Sequence, residues 1–177
     1  MKSFGTHGTG ECEFQNPLSV CVDSEGRVVV ADYKNDRIQV LTKDGKPVFE
    51  FGDSGSEKLS KPTACIYHKN MFIVSDRLNH SLKVFDSSGT FLYKIGKKGK
   101  ADGQFTGPWG LCIEQCGNRQ NLLVCDSNNG RIQQFTVEGC FTGKTVTGLQ
   151  TPIYIATTPE GRILVSDYQA NKIYVLK

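Results

Sequence analysis

Apolar and polar positions follow a unit that occurs four times along the chain. In each copy an apolar run ends in a small residue and an aspartate, and a short polar loop leads to a second apolar run. The residue that opens the second run stands six places after the aspartate in every copy. Short apolar runs between turn residues predict β-strands. The four loop aspartates are Asp32, Asp76, Asp126 and Asp167.

A proline precedes each unit and defines the length of the repeat. Pro17, Pro62, Pro108 and Pro152 lie 45, 46 and 44 residues apart. A period of this length with several short strands is typical of propeller blades, because helical repeats would show a periodicity of 3.6 residues, which is absent. The sequence therefore predicts an all-β fold, a β-propeller of four-stranded antiparallel blades.

The repeat also predicts the domain organisation. One propeller domain is expected over residues 1–177, with blades at about 17–52, 62–96, 108–147 and 152–177. The fourth copy stops after its third strand, whereas residues 2–5 match the end of a fourth strand. Residues 2–5 could supply the missing strand, and their pairing with the last blade would remove an exposed sheet edge.

Composition and charge restrict the function only weakly. The 177 residues are 38% hydrophobic, enough for a sizeable core, and a net charge of +3 neither requires nor excludes a polyanionic partner. No apolar run approaches the roughly 18 residues of a membrane span, and the N-terminus lacks the apolar core of a signal peptide. We expect a cytoplasmic protein without a membrane partner.

Cysteine and histidine positions favour structural roles. Cys21 and Cys112 share one place in the repeat, and Cys125 precedes a loop aspartate, so all three are predicted in strands as small buried residues. The three histidines, His7, His68 and His80, share no repeat position and show no ligand spacing. The sequence predicts no metal site and no cofactor.

The repeated aspartates allow a structural and a functional interpretation. Carboxylates repeated about a propeller axis could bind a cation, but an aspartate that starts a tight loop more often accepts hydrogen bonds from backbone N–H groups two residues on. We favour the structural role. No Ser-His-Asp triad can be argued from sequence, so no catalytic residue is predicted and the question of enzymatic activity stays open.

A combination of motifs resembles the NHL repeat. It consists of a glycine-rich linker with Phe-x-x-Pro, then Val-Ala-Asp, an asparagine-containing loop and Arg-Ile-Gln-Val, and in the first copy these occupy residues 8–40. The resemblance covers nearly the whole chain. It extends to the C-terminal NHL domain of TRIM-NHL proteins, in which a RING finger, B-boxes and a coiled coil precede a propeller of usually six blades. The four copies here leave open whether the chain is part of a six-bladed ring.

The loops that follow the aspartates are the predicted binding surface, because propeller function usually resides on exposed loops of one face. Basic and aromatic residues recur in or just after these loops. They are Tyr33, Lys34, Arg37, Arg77, Arg131, Tyr168 and Lys172.

The family resemblance implies a non-catalytic interaction module. The first hypothesis is the substrate-recognition part of a TRIM-NHL-like ubiquitin ligase, acting in ubiquitin-dependent protein turnover with protein partners. The alternative is binding of single-stranded RNA for post-transcriptional repression, through phosphate contacts and base stacking. A third hypothesis is an enzyme with a metal in the channel, as in peptidyl-amidating lyases, but this chain lacks the His-rich pattern of that site. No small-molecule substrate is expected.

Overall fold

The computed structural model describes residues 2–176, and antiparallel sheets make up most of them. A short parallel pair, β1 (Thr6–His7) with β2 (Glu13–Phe14), precedes the first sheet. Sheet one contains β3 (Pro17–Val22), β4 (Val28–Asp32), β5 (Arg37–Leu41) and β6 (Pro47–Phe51), each paired with the next.

The other three sheets repeat this order. Sheet two contains β7 (Pro62–His68), β8 (Met71–Asp76), β9 (Ser81–Asp86) and β10 (Phe91–Ile95). Sheet three contains β11 (Pro108–Cys116), β12 (Arg119–Asp126), β13 (Arg131–Thr136) and β14 (Phe141–Val146). Sheet four has three strands, β15 (Pro152–Thr157), β16 (Ile163–Asp167) and β17 (Lys172–Leu176). Every sheet begins at a repeat proline and ends its second strand at a loop aspartate, as the sequence predicted.

Two of the aspartate loops form single 3-10 turns, Tyr33–Asn35 and Ser127–Asn129. Each turn ends at a residue in the left-handed region, Asp36 with φ 57° and Gly130 with φ 62°. These left-handed residues end the turn and lead into the third strand of the sheet. No helix among residues 2–176 is long and apolar enough to cross a membrane.

The chain divides into two compact units. The first comprises the residues up to Leu78 together with Lys83–Lys94, and the second comprises Asn79–Leu82 together with the residues from Ile95 onward. We call the side of a sheet that bears the loop aspartate its aspartate face, and the other side its opposite face, since alternate strand residues point to opposite sides.

The core of the first unit lies between sheets one and two. Sheet one contributes its opposite face, including Val29, Ile38 and Val40, and sheet two contributes its aspartate face, including Phe72 and Val74. All five residues are fully buried. Aromatic rings fill the same layer, with the centroid of Phe51 at 5.1 Å from that of Phe72 and 4.8 Å from that of Phe85.

The core of the second unit has the same arrangement. Leu123 and Cys125 on the opposite face of sheet three pack in one cluster with Ile163 and Val165 on the aspartate face of sheet four. In both units the opposite face of one sheet therefore packs against the aspartate face of the next. Leu59 and Phe105, which stand three residues before Pro62 and Pro108, are also buried, at 1% and 0% exposed.

Residues 2–5 were considered above as a possible closing strand. Residues 2–5 are not in a strand, and sheet four has only three strands. Phe4 instead lies on Gly45 in the first unit, where a Cβ atom would overlap its ring, and Lys2 Nζ lies 3.8 Å from Asp44 Oδ1. The N-terminal segment thus packs against the β5–β6 turn of sheet one because glycine leaves room there.

Candidate binding surface

A buried aspartate joins each linker to its sheet. Oδ1 of Asp32 accepts the backbone N–H of Gln15 at 2.8 Å, and Oδ2 accepts Asn35 Nδ2 at 2.8 Å. Arg37 Nε and Gln39 Nε2 also donate to Oδ2, at 3.2 and 3.1 Å. Asp32 itself is 0% exposed. The carboxylate is thus satisfied entirely by the protein, as a buried charge requires.

Arg37 extends this network to the glycine-rich linker. Its Nη2 donates to the carbonyl oxygens of Gly10 and Glu13 at 2.7 and 2.9 Å, and its Nη1 lies 2.9 Å from Glu50 Oε2. The residue is only 6% exposed. Its guanidinium group therefore holds the linker against sheet one.

Arg131 has the same role in sheet three. Its Nε lies 2.8 Å from Asp126 Oδ2, and its Nη2 donates to the carbonyl oxygens of Ala101 and Gln104 at 2.8 and 3.0 Å. The backbone N–H of Thr106 donates to Oδ1 of the same aspartate at 2.7 Å. Arg131 is 8% exposed.

In sheet two a lysine makes the corresponding contacts to the aspartate and the linker. Lys83 Nζ lies 3.0 Å from Asp76 Oδ2 and donates to the carbonyl oxygens of Glu57 and Lys58 at 2.9 and 2.8 Å. Lys83 stands seven places after its aspartate, where sheets one and three have glutamine. Compared with Arg37 and Arg131, the cation thus stands two positions further along the strand, at the next residue on the same face.

In sheet four the aspartate is held mostly by backbone donors. Asp167 accepts the N–H groups of Gln150 and Thr151 at 2.7 and 2.8 Å. Burial opposes ionisation of this carboxyl group, but these hydrogen bonds, with that from Ala170 and the charge of Lys172, outweigh it and hold the pKa of Asp167 below its usual value. Asp167 is therefore anionic at neutral pH.

These contacts refine two predictions. The aspartates do accept backbone hydrogen bonds, and in all four sheets a donor is a linker residue that precedes the proline. Arg37 and Arg131 were predicted on the binding surface, yet their burial and internal partners favour a structural role. The burial of these arginines could not be predicted from the sequence, because the motif Arg-Ile-Gln is compatible with an arginine side chain that faces either solvent or the linker.

Three other predicted residues come together on the first unit, and we call this group the Tyr33 patch. It consists of Tyr33, Lys34, Asp36, Lys61 and Arg77. Arg77 Nη1 lies 3.3 Å from the hydroxyl of Tyr33, and Lys61 Nζ lies 5.8 Å from the centre of its ring. Lys61 also forms an ion pair with Asp36 at 3.1 Å, while Lys34 is exposed. A cation over an aromatic ring is favourable, so the patch is preorganised.

Sequence reasoning missed Asp36 and Lys61, although the repeat contained a signal for both. Asp36 stands four places after its aspartate, and its Oδ1 accepts the N–H of Lys61, the residue before the next proline, at 2.7 Å. In the second unit His80 has the same repeat position, and its Nδ1 accepts the N–H of Gly107 at 3.0 Å. His80 thus makes in the second unit the contact that Asp36 makes in the first.

The remaining two predicted residues lie together on the second unit, and we call this group the Tyr168 patch. It consists of Tyr168, Lys172, Asn171, Ile153 and Ile173, which line one shallow groove. Tyr168 is 70% exposed and Ile173 is 67% exposed. The patch combines an aromatic ring, a cation and apolar surface. Among residues 2–176, no group of three or more His, Cys, Asp or Glu side chains could hold a metal ion.

Comparison with protein families identifies the repeat. A model described as "NHL repeat" matches residues 14–41, and a model described as "6-bladed beta-propeller" matches residues 56–161. The chain belongs to the 6-bladed β-propeller family, and it carries NHL repeats. The predicted fold class and family are therefore confirmed.

Several animal proteins are similar to this chain. "Protein brain tumor" of Drosophila melanogaster is 33% identical over 98 residues, which are 52% of this chain and 10% of that protein. "B-box type zinc finger protein ncl-1" of Caenorhabditis elegans is 31% identical over 77% of this chain and 16% of its own length. "E3 ubiquitin-protein ligase TRIM32" of Homo sapiens is 28% identical over 78% of this chain and 22% of its own length. The chain thus spans a small part of these relatives.

Solved propeller structures show the same fold. A virginiamycin B lyase from Staphylococcus aureus superposes with a TM-score of 0.73 at 19% identity, covering 91% of this chain and 52% of the lyase chain. The WD40 β-propeller domain of Doa1 gives a TM-score of 0.68 at 14% identity, with 92% and 52% covered. At this identity the likeness concerns the fold alone.

Proposed function

We propose that this NHL-repeat chain is a non-catalytic interaction module that binds a protein target through the Tyr33 patch. Within a longer protein it would be the substrate-recognition part of a TRIM-NHL-like ubiquitin ligase, acting in ubiquitin-dependent protein turnover. Similarity to two proteins named E3 ubiquitin-protein ligases, TRIM32 and NHLRC1 of Homo sapiens, supports this proposal.

The composition of the Tyr33 patch is the observation that carries the proposal. It places an aromatic ring, two cations and a carboxylate within one set of contacts. Tyrosine and arginine are enriched among the residues that dominate protein–protein binding energies. The mixture of charges suits a protein surface better than a polyanion, because Asp36 would repel phosphate groups.

Single-stranded RNA is the second candidate ligand. Tyr168, 70% exposed, could stack on a base, and the exposed Lys172 next to it in the groove could contact a phosphate. Against this candidate, the guanidinium groups of Arg37 and Arg131 are directed to linker carbonyls and aspartates. Their charges are therefore poorly placed for the phosphate contacts that dominate affinity for nucleic acids.

The protein-binding proposal can be tested with a displayed peptide library selected on the purified wild-type chain. Lys34→Glu reverses an exposed charge in the Tyr33 patch, and Lys46→Glu is the matched control at an exposed lysine in the turn before β6. We expect Lys34→Glu to lower the affinity for the selected peptides by about tenfold, equivalent to about 1.4 kcal/mol of binding free energy. Lys46→Glu should leave this affinity unchanged. Equal losses in the two variants would exclude this patch.

Binding of RNA is measured with the same protein preparations and a fluorescent single-stranded RNA of random sequence. Binding that weakens steeply as salt increases and is lost in Lys172→Glu would favour RNA. If peptides bind in a manner sensitive to Lys34 and the RNA shows no such binding, the protein-recognition proposal stands. A partner that carries a selected peptide should then be ubiquitinated in cells by the full-length protein and lose that modification in Lys34→Glu.

A further inference from the structure

Two thiols meet in the packed layer between sheets one and two. Cys21 lies on the opposite face of β3, and Cys65 lies on the aspartate face of β7. Cys65 belongs to the core of the first unit at 1% exposed, and the partly buried Cys21 packs against that core. The backbone N–H of Cys65 donates to Ser19 Oγ at 3.4 Å. The first strands of the two sheets therefore lie side by side, with both cysteines on the facing sides.

The sulfur of Cys21 accepts hydrogen bonds from β7. The thiol of Cys65 donates one, and the backbone N–H of Tyr67 donates another. Donors to the sulfur stabilise the thiolate. The hydrogen bond from Cys65, supported by that from Tyr67, outweighs burial and the charge of Asp23 and holds the pKa of Cys21 below its usual value. The thiolate is the form of cysteine that reacts with oxidants, so Cys21 is the more reactive of the two residues.

Cys65 has the complementary properties. Burial, together with the hydrogen bond to Cys21, holds the pKa of its thiol well above the usual value. Cys65 therefore remains a neutral thiol and a hydrogen-bond donor at neutral pH. A reactive cysteine in contact with a second thiol is the arrangement in which an oxidised sulfur can be captured as a disulfide.

The second unit contains only half of this arrangement. Cys112 has the repeat position of Cys21, four places after the proline, and packs against the core of its unit. The residue of that core at the position of Cys65, three places after the proline, is Ile155. The contact between these two repeat positions thus occurs in both units, but only the first unit has a thiol on each side.

The other thiol near Cys112 is less well placed for a disulfide. Cys112 pairs with Leu123, so Cys125 is its diagonal neighbour in the same sheet. Diagonal neighbours have Cα atoms roughly 7–8 Å apart, beyond the roughly 4.4–6.8 Å that disulfides usually span. Burial also raises the pKa of Cys112 to about 12. Cys112 is therefore an internal control for the behaviour of Cys21.

We propose that Cys21 and Cys65 are a peroxide-sensitive pair that forms a reversible disulfide between sheets one and two. The Cys21 thiolate attacks one oxygen of hydrogen peroxide and the O–O bond breaks, which oxidises Cys21 to a sulfenic acid. The departing hydroxide takes up a proton and becomes water. The sulfur of Cys65 then attacks the sulfur of Cys21 and the S–O bond breaks. The Cys65 proton leaves with the hydroxyl group as a second water.

The oxidised state differs from the reduced state by one covalent bond between two sheets that otherwise only pack together. A dithiol such as dithiothreitol restores both thiols by thiol–disulfide exchange. Neither cysteine belongs to the Tyr33 patch, so this inference stands or falls separately from the proposed function.

Mass spectrometry of the peroxide-treated chain tests the disulfide. The reduced wild-type chain is treated with hydrogen peroxide at neutral pH, its remaining thiols are blocked, and denatured monomers are isolated and digested with trypsin. We expect peptide 3–27 joined to peptide 59–69. Fragmentation should place the bond on Cys21 rather than on Cys12, which lies in the same peptide. Treatment with dithiothreitol before digestion should abolish the joined peptide.

Three serine variants separate the two chemical steps. Cys65→Ser keeps a hydrogen-bond donor beside Cys21 but cannot form the disulfide. The sulfenic acid of Cys21 should therefore accumulate and be trapped by dimedone. Cys21→Ser should leave Cys65 reduced, because a buried neutral thiol does not react first. Cys112→Ser is the matched control in the second unit, and it should form the Cys21–Cys65 disulfide like the wild type.

The outcomes that oppose the proposal are equally specific. A wild-type monomer without the joined peptide, a bond of Cys21 to Cys12 instead, or a disulfide of Cys112 that forms as readily would overturn it. Absence of a dimedone adduct on Cys21 in a folded Cys65→Ser chain would overturn the order of the two steps. Circular dichroism under reducing conditions shows whether each variant is folded, and the wild-type measurement tests the disulfide without any variant.

Discussion

Nε of Arg131 donates to Oδ2 of Asp126 at 2.8 Å, and both residues are buried. The same guanidinium group donates to two linker carbonyls, so this ion pair joins the glycine-rich linker to sheet three. Arg37 and Asp32 form the equivalent pair in sheet one. The basic residue that opens the third strand, which the sequence placed on the surface, thus forms a buried contact between the linker and the sheet.

Removal of this cation should destabilise the chain strongly. We expect Arg131→Met to lower the free energy of unfolding by about 3–5 kcal/mol, because Asp126 would keep its charge without its main partner. Arg162→Met, at an exposed position in the β15–β16 turn, should change it by less than about 0.5 kcal/mol. Urea denaturation measures both. Similar values for the two variants would contradict the structural role of Arg131.

Gly139 should be among the least replaceable glycines. It has φ +94°, and a Cβ atom would lie 2.7 Å from Ile95 Cγ1, whereas Gly143 has φ +86° with no atom within 4 Å of such a Cβ. Gly143→Ala should lower the free energy of unfolding by about 1–2 kcal/mol because of the left-handed backbone conformation alone. Gly139→Ala should cost more, since Ile95 must also shift. Thermal denaturation compares the two, and equal costs would mean that Ile95 adapts freely.

Asp23 should make stability depend on pH in the acidic range. Burial raises its pKa, but the hydrogen bonds from Arg27 and from the N–H of Glu25 outweigh burial and hold the pKa below its usual value. A carboxyl group with a lowered pKa stabilises the fold above its unfolded pKa of about 4, and this contribution disappears as pH falls through the folded pKa.

The measurement is urea denaturation of the wild type and Asp23→Asn between about pH 2 and pH 7. The wild type should be more stable above about pH 5, and the difference should shrink as pH falls below about 4. Asp53→Asn, at an exposed residue, is the control and should lie close to the wild type at each pH. A difference between wild type and Asp23→Asn that does not vary with pH would contradict the prediction.

Two cysteines at the same repeat position should react at different rates. A hydrogen bond with the Cys65 thiol lowers the pKa of Cys21, whereas burial raises the pKa of Cys112 to about 12. Because the thiolate is the reactive form, iodoacetamide at pH 8 should label Cys21 faster than Cys112, as mass spectrometry of the peptides can show.

The cause of this difference is tested by Cys65→Val, which removes the hydrogen-bond partner of Cys21 and should slow its labelling. Cys140→Val, at an exposed cysteine of the second unit, should leave the rate at Cys21 unchanged. If Cys65→Val does not slow the reaction, local access rather than the hydrogen bond controls Cys21.

Much of the fold could be predicted because its signals are local and repeated. Pro17 and Asp32 mark the start of one strand and the end of the next, and their counterparts do the same in every sheet. The site was harder to predict. Lys34 and Tyr168 are exposed as expected, but Arg37 has the same loop chemistry and points into the linker network.

The sequence by itself determined the four-fold repeat and the order of the strands within each sheet, since the repeat period and the short apolar runs between turn residues are local features of the chain. Only the tertiary structure decided which polar residues are internal, because the partners of Asp32 and Arg37 include the linker at residues 10–15, distant in sequence from the loop. It also decided the place of Phe4 on Gly45 of sheet one, since a packing contact of this kind depends on which chain segments meet in space.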